Sequence, residues 1–261
     1  MITIKQLNIG YNSSLLKKNF SINYPKPGLI ALIGNNGTGK TTFIKTLAAI
    51  YKPLNGQVFI KKYNIHNSNY HQRAKLVSVV LSYLPQKLEL TVKQILNLTI
   101  KLNQTKLQSN YLEYLYSKLK ICNLLTKSFS KLSDGQKQKI MIARAFAQNT
   151  PIVLLDEPFS HLDHSNFKLV KELLQKEKQK KLIIFTTHNL LSITNIDNIW
   201  HLENKEIIPK TVNQFMTHSP QIIEFYNFYN SIVVNNKIII MIHINQLRMM
   251  GDNQIKPQQI V

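Results

Sequence analysis

The chain has 261 residues with a formal net charge of +20, and 44% of its residues are hydrophobic. This length and composition suit one large domain, or a domain with a subdomain, that buries a substantial core. No unbroken apolar run exceeds five residues, whereas a membrane-spanning helix needs about 20. The only cysteine is Cys122, which excludes an internal disulfide and fits a reducing compartment. We therefore expect a soluble, cytoplasmic protein.

The positive charge raises the question of a nucleic-acid partner. Of the 33 basic residues only three are arginines, and the lysines are spread along the chain. The lysines do not interleave with aromatic residues, as a platform for stacked bases would require. We therefore expect no nucleic-acid partner, and salt-dependent binding to RNA or DNA would overturn that expectation.

The hydrophobic pattern predicts strands that alternate with helices along the chain. Strands are predicted at residues 2–11, 29–33, 57–61, 152–155 and 182–186, with a hairpin formed by 199–202 and 206–208. Helices are predicted at residues 40–49, 91–125, 133–149 and 165–179, and residues 68–80 are predicted as a helix that enters a strand. The 91–125 segment contains no glycine or proline and is predicted as a helical insert. This alternation is typical of a mostly parallel α/β sheet.

The first motif lies between a predicted strand and a predicted helix. Residues 34–41 read Gly-Asn-Asn-Gly-Thr-Gly-Lys-Thr and match the phosphate-loop pattern G-x-x-x-x-G-K-[ST] at every fixed position. The glycines let successive backbone N–H groups converge on phosphate oxygens, and the helix N-terminus adds its positive dipole. Lys40 is expected to reach the β- and γ-phosphates, and Thr41 to ligate Mg²⁺. The expected contacts with the bound nucleotide are Gly34, Asn35, Asn36, Gly37, Thr38, Gly39, Lys40, Thr41 and Thr42.

An acidic pair follows the predicted strand at residues 152–155. Asp156 and Glu157 would reach the same edge of the sheet as the phosphate loop. There Asp156 can hold Mg²⁺ through water. Glu157, one residue later, suits a general base that polarises the attacking water. The sequence therefore predicts a nucleotide-hydrolysing site.

These two motifs fit any P-loop NTPase, and further motifs narrow the choice. Residues 132–136, Leu-Ser-Asp-Gly-Gln, resemble the LSGGQ signature of ATP-binding cassette (ABC) proteins. They lie just before the strand of the acidic pair, as in that family. Residues 160–163 resemble the D-loop, and residues 186–188 resemble the segment that carries the switch histidine. The resemblance extends from about residue 2 to residue 208.

The resemblance implies an overall architecture. This is a RecA-like P-loop α/β core with an antiparallel β layer and an inserted helical subdomain at about residues 87–150. The ATPase domain would span residues 1–230 and leave residues 231–261 as a tail of unknown role. Two such subunits would pair head to tail and enclose two ATP molecules between them.

The resemblance also implies roles for single residues. Ser133, Gly135 and Gln136, with Asp163 of the D-loop, would face the nucleotide held by the second subunit. Position 134 departs from the family's glycine. We expect Asp134 to point away, because a carboxylate beside a phosphate is unfavourable.

Two more roles complete the implied nucleotide site. His188 would donate a hydrogen bond to the γ-phosphate, so that the catalytic set is Lys40, Glu157 and His188. Tyr11 lies where the family has an aromatic residue that stacks on adenine.

One assignment has two candidates. The family places a glutamine at the end of a strand, where it senses Mg²⁺ and contacts the membrane partner. Gln86 fits by its local sequence Tyr-Leu-Pro-Gln, whereas counting from Lys40 points to Ser82. We favour Gln86, so that the expected metal ligands are Thr41, Gln86 and Asp156.

Details of the motifs favour an importer. Residues 133–135, 147–151 and 160–163 resemble the ATPases of iron-chelate, haem and cobalamin importers, and residues 73–82 resemble an iron-chelate subgroup. The implied partners are a second ATPase subunit, an integral membrane permease and, indirectly, a substrate-binding protein. The expected location is the inner face of the cell membrane. The alternatives are an exporter or lipid-transport ATPase, and a soluble ABC protein that acts on ribosomes or DNA.

Overall fold

The computed structural model describes residues 1–85, 88–103, 109–188 and 190–217. The chain divides into two units, Met1–Val212 and Asn213–Val261. The elements that build the site lie in the first unit, and the predicted tail at residues 231–261 lies outside the described residues.

In the described part of the chain, ten strands form two sheets. The first is an antiparallel sheet of four strands in the order β2-β1-β4-β5, and the second has six strands in the order β10-β9-β3-β8-β7-β6. The strands are β1 (Ile2–Asn8), β2 (Phe20–Tyr24), β3 (Gly28–Ile33), β4 (Asn55–Ile60), β5 (Tyr63–Asn64), β6 (Val77–Val80), β7 (Ile152–Leu155), β8 (Leu182–Thr187), β9 (Asn198–Glu203) and β10 (Glu206–Lys210).

The larger sheet is parallel apart from its last pair. The pairs β3–β8, β3–β9, β7–β8 and β6–β7 are parallel, while β9 and β10 form the antiparallel hairpin that the sequence predicts. All residues of β3, β7 and β8 are buried. Their unbroken apolar runs reflect a sheet that is covered on both faces.

Three aromatic rings join the two sheets through the first helix. Phe20 of β2, Phe43 of helix α1 (Lys40–Leu47) and Trp200 of β9 contact each other edge to face, with centroids 5.4–6.0 Å apart. All three side chains are buried. They fix α1, the helix that follows the phosphate loop, between the antiparallel layer and the main sheet.

Helices cover the sheet and form the insert. They are α1 (Lys40–Leu47), α2 (Tyr70–Leu76), α3 (Val92–Asn103), α4 (Ser109–Lys118), α5 (Asp134–Ala147), α6 (His164–Glu177) and α7 (Val212–Thr217). The described residues between β6 and β7 contain helices and no strand, in agreement with the predicted insert. Within the ranges described, none of the helices has the length and apolar character that crossing a membrane requires.

Polar contacts attach α4 of the insert to α6 of the core. The Tyr111 hydroxyl donates to Glu177 Oε2 at 2.9 Å, and Lys176 Nζ lies 3.8 Å from the centroid of the Tyr114 ring. Burial and the neighbouring Glu177 raise the pKa of Tyr111, so its hydroxyl keeps its proton and remains a donor.

Candidate functional site

Four parallel strands deliver the candidate residues to one edge of the main sheet. β3 is followed by the phosphate loop, β7 by Asp156, β8 by His188 and β6, two residues on, by Ser82. The carboxyl ends of neighbouring parallel strands lie at the same edge, which is where open α/β sheets bind ligands. Segments far apart in sequence therefore meet here.

The phosphate loop folds around the ammonium group of Lys40. Lys40 Nζ donates to the backbone oxygens of Gly34 and Asn35 at 2.8 and 2.9 Å, and the residue is only 7% exposed. Thr38 Oγ1 donates to Asn35 O at 2.8 Å and tightens the same turn. An ammonium has three N–H donors, so these two contacts leave one donor for a phosphate oxygen.

Gly39 makes the turn from the loop into α1 possible. It is the N-cap of α1 with φ 106° and ψ 12°, a backbone conformation that residues with a side chain rarely adopt. As a glycine, this N-cap residue has no side chain with which to cap the first turn of α1. The N–H groups at this helix start are therefore available to an anion.

Asp156 is the centre of the hydrogen-bond network at this edge. Its fully buried carboxylate accepts from Thr41 Oγ1 at 2.8 Å and from Ser82 Oγ at 2.9 Å, both at Oδ2. Its other oxygen, Oδ1, accepts from Thr186 Oγ1 at 2.7 Å. Oδ2 and the two hydroxyl groups place three oxygen atoms side by side that could act as metal ligands, and oxygen is the ligand type that Mg²⁺ prefers.

Gln86 and Ser82 are the two candidates for the metal contact at the end of a strand, and the structure describes only Ser82. Gln86 lies outside the described residues, so its role stays a prediction. Ser82 lies beside the candidate ligands Thr41 and Asp156. The pairing of β6 with β7 explains this position. Val80 pairs with Leu155 at the ends of the two parallel strands, so the residues that follow them, including Ser82 and Asp156, lie at the same edge of the sheet.

Glu157 and His188 contact each other. Glu157 Oε2 lies 3.2 Å from His188 Nδ1, and the His188 side chain is 66% exposed. Glu157 has φ 50°, a left-handed backbone conformation that is uncommon for residues other than glycine. The carboxylate is thus turned toward an imidazole at the open edge of the site.

The signature residues form a second site at the start of α5. Ser133 caps the helix in a capping box: its Oγ accepts from Gln136 N at 3.3 Å, and Gln136 Oε1 accepts from Ser133 N at 3.1 Å. Gly135 lies so close to the loop between β7 and α6 that a Cβ there would be 2.7 Å from His161 O. The signature and D-loop segments therefore pack directly on each other.

Two helix starts face one open pocket of about 550 Å³. Asp163 caps α6 and accepts from Asn166 N at 2.8 Å, and this backbone bond is the main cause of its lowered pKa. Burial lowers the pKa of Lys139, and Asp163 opposes that shift. The pocket is lined by Ser133, Asp134, Gly135, Gln136, Lys139, His161, Asp163 and Asn166. Among the described residues, those of the phosphate loop do not line it.

The Asp134 carboxylate is paired within its own helix. Asp134 Oδ1 lies 3.5 Å from the Nζ of Lys137, whose side chain is buried. The side chain of Asp134 is half exposed. Its negative charge at the helix start is therefore partly compensated by a neighbouring cation. Asp134 also lines the pocket, so the expectation that it points away from a bound phosphate stays a prediction.

Tyr11 lies beside the start of α1 with its ring largely exposed. Its ring contacts Tyr51 edge to face at 5.4 Å, and 63% of the residue is exposed. Hydrogen bonds with Thr42 and Tyr51 lower the pKa of its hydroxyl, and the bond with Thr42 has the larger effect. These contacts orient an accessible ring next to a residue of the predicted nucleotide site.

A substitution of Tyr11 tests its predicted role. Tyr11→Ala is expected to weaken ATP binding roughly tenfold, because aromatic stacking on a base contributes about 1–3 kcal/mol. Tyr11→Phe, which keeps the ring, should bind nearly as well as the wild type. The measurement is titration with a fluorescent ATP analogue, and Tyr70→Ala, which removes a tyrosine that is 85% exposed on α2, is the control. Equal affinities for Tyr11→Ala and Tyr70→Ala would contradict the stacking role.

Sequence reasoning overlooked Thr186 and the second aromatic ring, Tyr51. In the sequence Thr186 stands out only as a neighbour of His188, whereas in the structure its hydroxyl lies within 2.8 Å of atoms of both acidic residues, Asp156 and Glu157. A run of hydroxyl residues before a histidine could have drawn attention to it. Tyr51 carries no motif, and only the fold brings it to Tyr11.

Comparison with known proteins identifies the family. A family model described as ABC transporter matches residues 17–160. The chain is 34% identical over 201 residues to the achromobactin transport ATP-binding protein CbrD of Dickeya dadantii, covering 72% of this chain and 73% of the relative. It is 27% identical over 265 residues to an uncharacterized ABC transporter ATP-binding protein of Methanocaldococcus jannaschii, covering 92% and 91%.

A solved structure of an ATP-binding subunit of an ABC transporter superposes with a TM-score of 0.76 at 25% identity, covering 84% of this chain and 92% of that chain. Relatives at 27–29% identity include a zinc import protein of Buchnera aphidicola and a macrolide export protein of Campylobacter jejuni. The fold agrees with the predicted RecA-like P-loop core with an antiparallel β layer. The chain belongs to the ABC transporter family, as an ATP-binding subunit that hydrolyses ATP.

Proposed function

We propose that the chain powers import through a separate membrane permease and that its cargo is an iron chelate, haem or cobalamin. The cargo assignment is supported by the similarity to the achromobactin transport protein at 34% identity and by the sequence at residues 133–135, 147–151 and 160–163. Relatives named as ATP-binding proteins, covered over 73–91% of their length, support a permease on another chain. The subunit would then lie on the cytoplasmic face of the membrane.

The observation that carries the chemistry is the convergence of Lys40, Thr41, Asp156, Glu157 and His188 at one edge of the sheet. Lys40 and the loop N–H groups bind the β- and γ-phosphates of ATP. The hydroxyls of Thr41 and Ser82, with Asp156, would hold Mg²⁺. When bound, this ion supplies positive charge to the phosphate oxygens.

Hydrolysis then uses the Glu157–His188 pair. The Glu157 carboxylate accepts a proton from water as the water oxygen attacks the γ-phosphorus, and the bond to the bridging oxygen breaks to give ADP and phosphate. His188, 3.2 Å from Glu157, orients that carboxylate and donates to the γ-phosphate.

We also propose that two subunits act together. Among the described residues, the lining of the pocket at the start of α5 includes none from the phosphate loop. Each can therefore contribute half of a nucleotide site, and head-to-tail pairing of two copies would complete both sites.

The cargo is tested by uptake of labelled iron chelate, haem and cobalamin in cells that carry or lack this chain. Loss of one uptake in the deletion strain, restored by the wild type but not by Glu157→Gln, is the expected result. The second candidate is an exporter, favoured by the similarity to the macrolide export protein. Unchanged uptake of all three cargoes, with altered export of a drug or lipid, would establish that candidate instead.

A further inference from the structure

Thr186, the fifth residue of β8, lies fully buried between the two acidic residues of the site. We propose that the Thr186 hydroxyl is a positioning group for ATP hydrolysis, because it fixes the backbone of Glu157 relative to Asp156. The inference rests on the proposed role of Glu157 as the general base. It concerns the placement of that base and leaves the cargo open.

The hydrogen bonds of Thr186 determine the orientation of its hydroxyl. Its Oγ1 donates to Asp156 Oδ1 at 2.7 Å and accepts from the backbone N–H of Glu157 at 2.8 Å. A hydroxyl has a single proton. Since a carboxylate oxygen can only accept and a backbone N–H can only donate, this arrangement leaves one orientation. Thr186 therefore links a metal-site carboxylate to the residue that carries the base.

Glu157 needs this support because its backbone is unfavourable. Its φ of 50° lies in the left-handed region, which a residue with a side chain adopts only when its surroundings hold it there. Thr186 binds its N–H, and Ser160 donates to its carbonyl oxygen through N at 3.1 Å and through Oγ at 2.8 Å. The peptide groups on both sides of Glu157 are thereby anchored.

The same strand also reaches the side chain of Glu157. His188 follows Thr186 by two residues, and its Nδ1 lies 3.2 Å from Glu157 Oε2. The end of β8 therefore holds Glu157 at its backbone through Thr186 and at its carboxylate through His188. Loss of the Thr186 hydroxyl would leave the N–H of Glu157 without this acceptor and the buried Oδ1 of Asp156 without this donor.

This geometry predicts a specific kinetic signature. Thr186→Val keeps the size and branching of the side chain but removes both hydrogen bonds. We expect kcat to fall by about 10- to 100-fold, as small displacements of a catalytic group do. The KM for ATP should change by less than about threefold, because Thr186 is not among the residues that are proposed to contact ATP. Thr186→Ser should restore most of the activity.

Matched controls separate positioning from general destabilisation. Thr150→Val removes another buried hydroxyl, which lies 2.7 Å from Ile152 O and 3.0 Å from Ser78 Oγ at the opposite end of β7. It should lower the melting temperature and leave kcat unchanged. Thr186→Cys, whose thiol is a weak donor, is a second variant in case Thr186→Val does not fold, and its kcat should be below that of the wild type with a similar KM for ATP.

A double substitution decides the inference. In the Glu157→Gln background, adding Thr186→Val should cause no further loss of the residual turnover, because the group that Thr186 positions is already absent. An equal fractional loss in both backgrounds, or full activity of Thr186→Val with intact Glu157, would overturn the inference. Wild-type turnover by Glu157→Gln alone would instead refute Glu157 as the base, so the two failures are distinguishable.

Discussion

Lys40→Ala is expected to bind ATP at least ~30-fold more weakly than the wild type, because truncating one partner of a buried charge pair costs about 2–5 kcal/mol. The ammonium lies over the oxygens of Gly34 and Asn35 and is the cation that would face the phosphates. Hydrolysis should be lost with binding, since the γ-phosphate would no longer be held.

The measurement is calorimetric titration of ATP with and without Mg²⁺, together with phosphate release. A charge of +20 attracts any polyanion, so a matched loss of charge is needed as a control. Lys61→Ala removes an exposed lysine next to β4 and should leave ATP binding unchanged. Near-normal hydrolysis by Lys40→Ala would refute the assignment of the phosphate loop.

The sequence predicts the strand, loop and helix of the phosphate-loop motif well because the residues of the motif are consecutive. Strand, loop and helix follow one another from Gly28 to Leu47, and each fixed position of the motif has a local backbone reason, such as the left-handed Gly39. The acidic pair is predictable for the same reason, as it directly follows a buried strand. Local patterns of this kind need no knowledge of tertiary contacts.

The network around Asp156 could not be predicted in this way. Ser82 and Thr186 are separated from Asp156 by 74 and 30 residues, and no spacing rule relates them. Their contacts arise from the order β8-β7-β6 and from the register in which Val80 pairs with Leu155. Local sequence therefore favoured Gln86, whereas the strand register brings Ser82 to the carboxylate.

Short strands were the other omission. β2 and β5 were not predicted: β2 has five residues, and β5 has only the two residues Tyr63 and Asn64. β2 is defined by its pairing with β1, from Leu7↔Phe20 to Ile2↔Tyr24. β5 is defined by its pairing with β4, the strand that directly precedes it. A window this short carries too little hydrophobic periodicity to distinguish a strand from a loop.

The pocket at the start of α5, which the signature residues Ser133–Gln136 help to line, is expected to control dimerisation in an all-or-none way. Its lining residues come from the starts of α5 and α6 and from the loop before α6. The two helix starts favour an anion, and so does Lys139, whereas the carboxylates of Asp134 and Asp163 in the same lining oppose it. The γ-phosphate held by the phosphate loop of a second copy is the anion that we propose for it. Glu157→Gln should trap that state, since it keeps ATP binding but slows hydrolysis by ~100-fold or more.

With ATP, Glu157→Gln is therefore expected to dimerise, and the Ser133→Arg/Glu157→Gln double variant should remain monomeric, because a long cation would fill the space for the phosphate. Ser133→Arg also removes a helix cap, which alone costs about 1 kcal/mol. Asn69→Ala in the Glu157→Gln background controls for this, since Asn69 caps α2 through a 2.9 Å bond from Gln72 N. This control should still dimerise. Light scattering coupled to size exclusion, with and without ATP, measures each mass. A dimer of the Ser133→Arg/Glu157→Gln variant would mean that Ser133 does not face the nucleotide of a second subunit, and the head-to-tail arrangement would have to be abandoned.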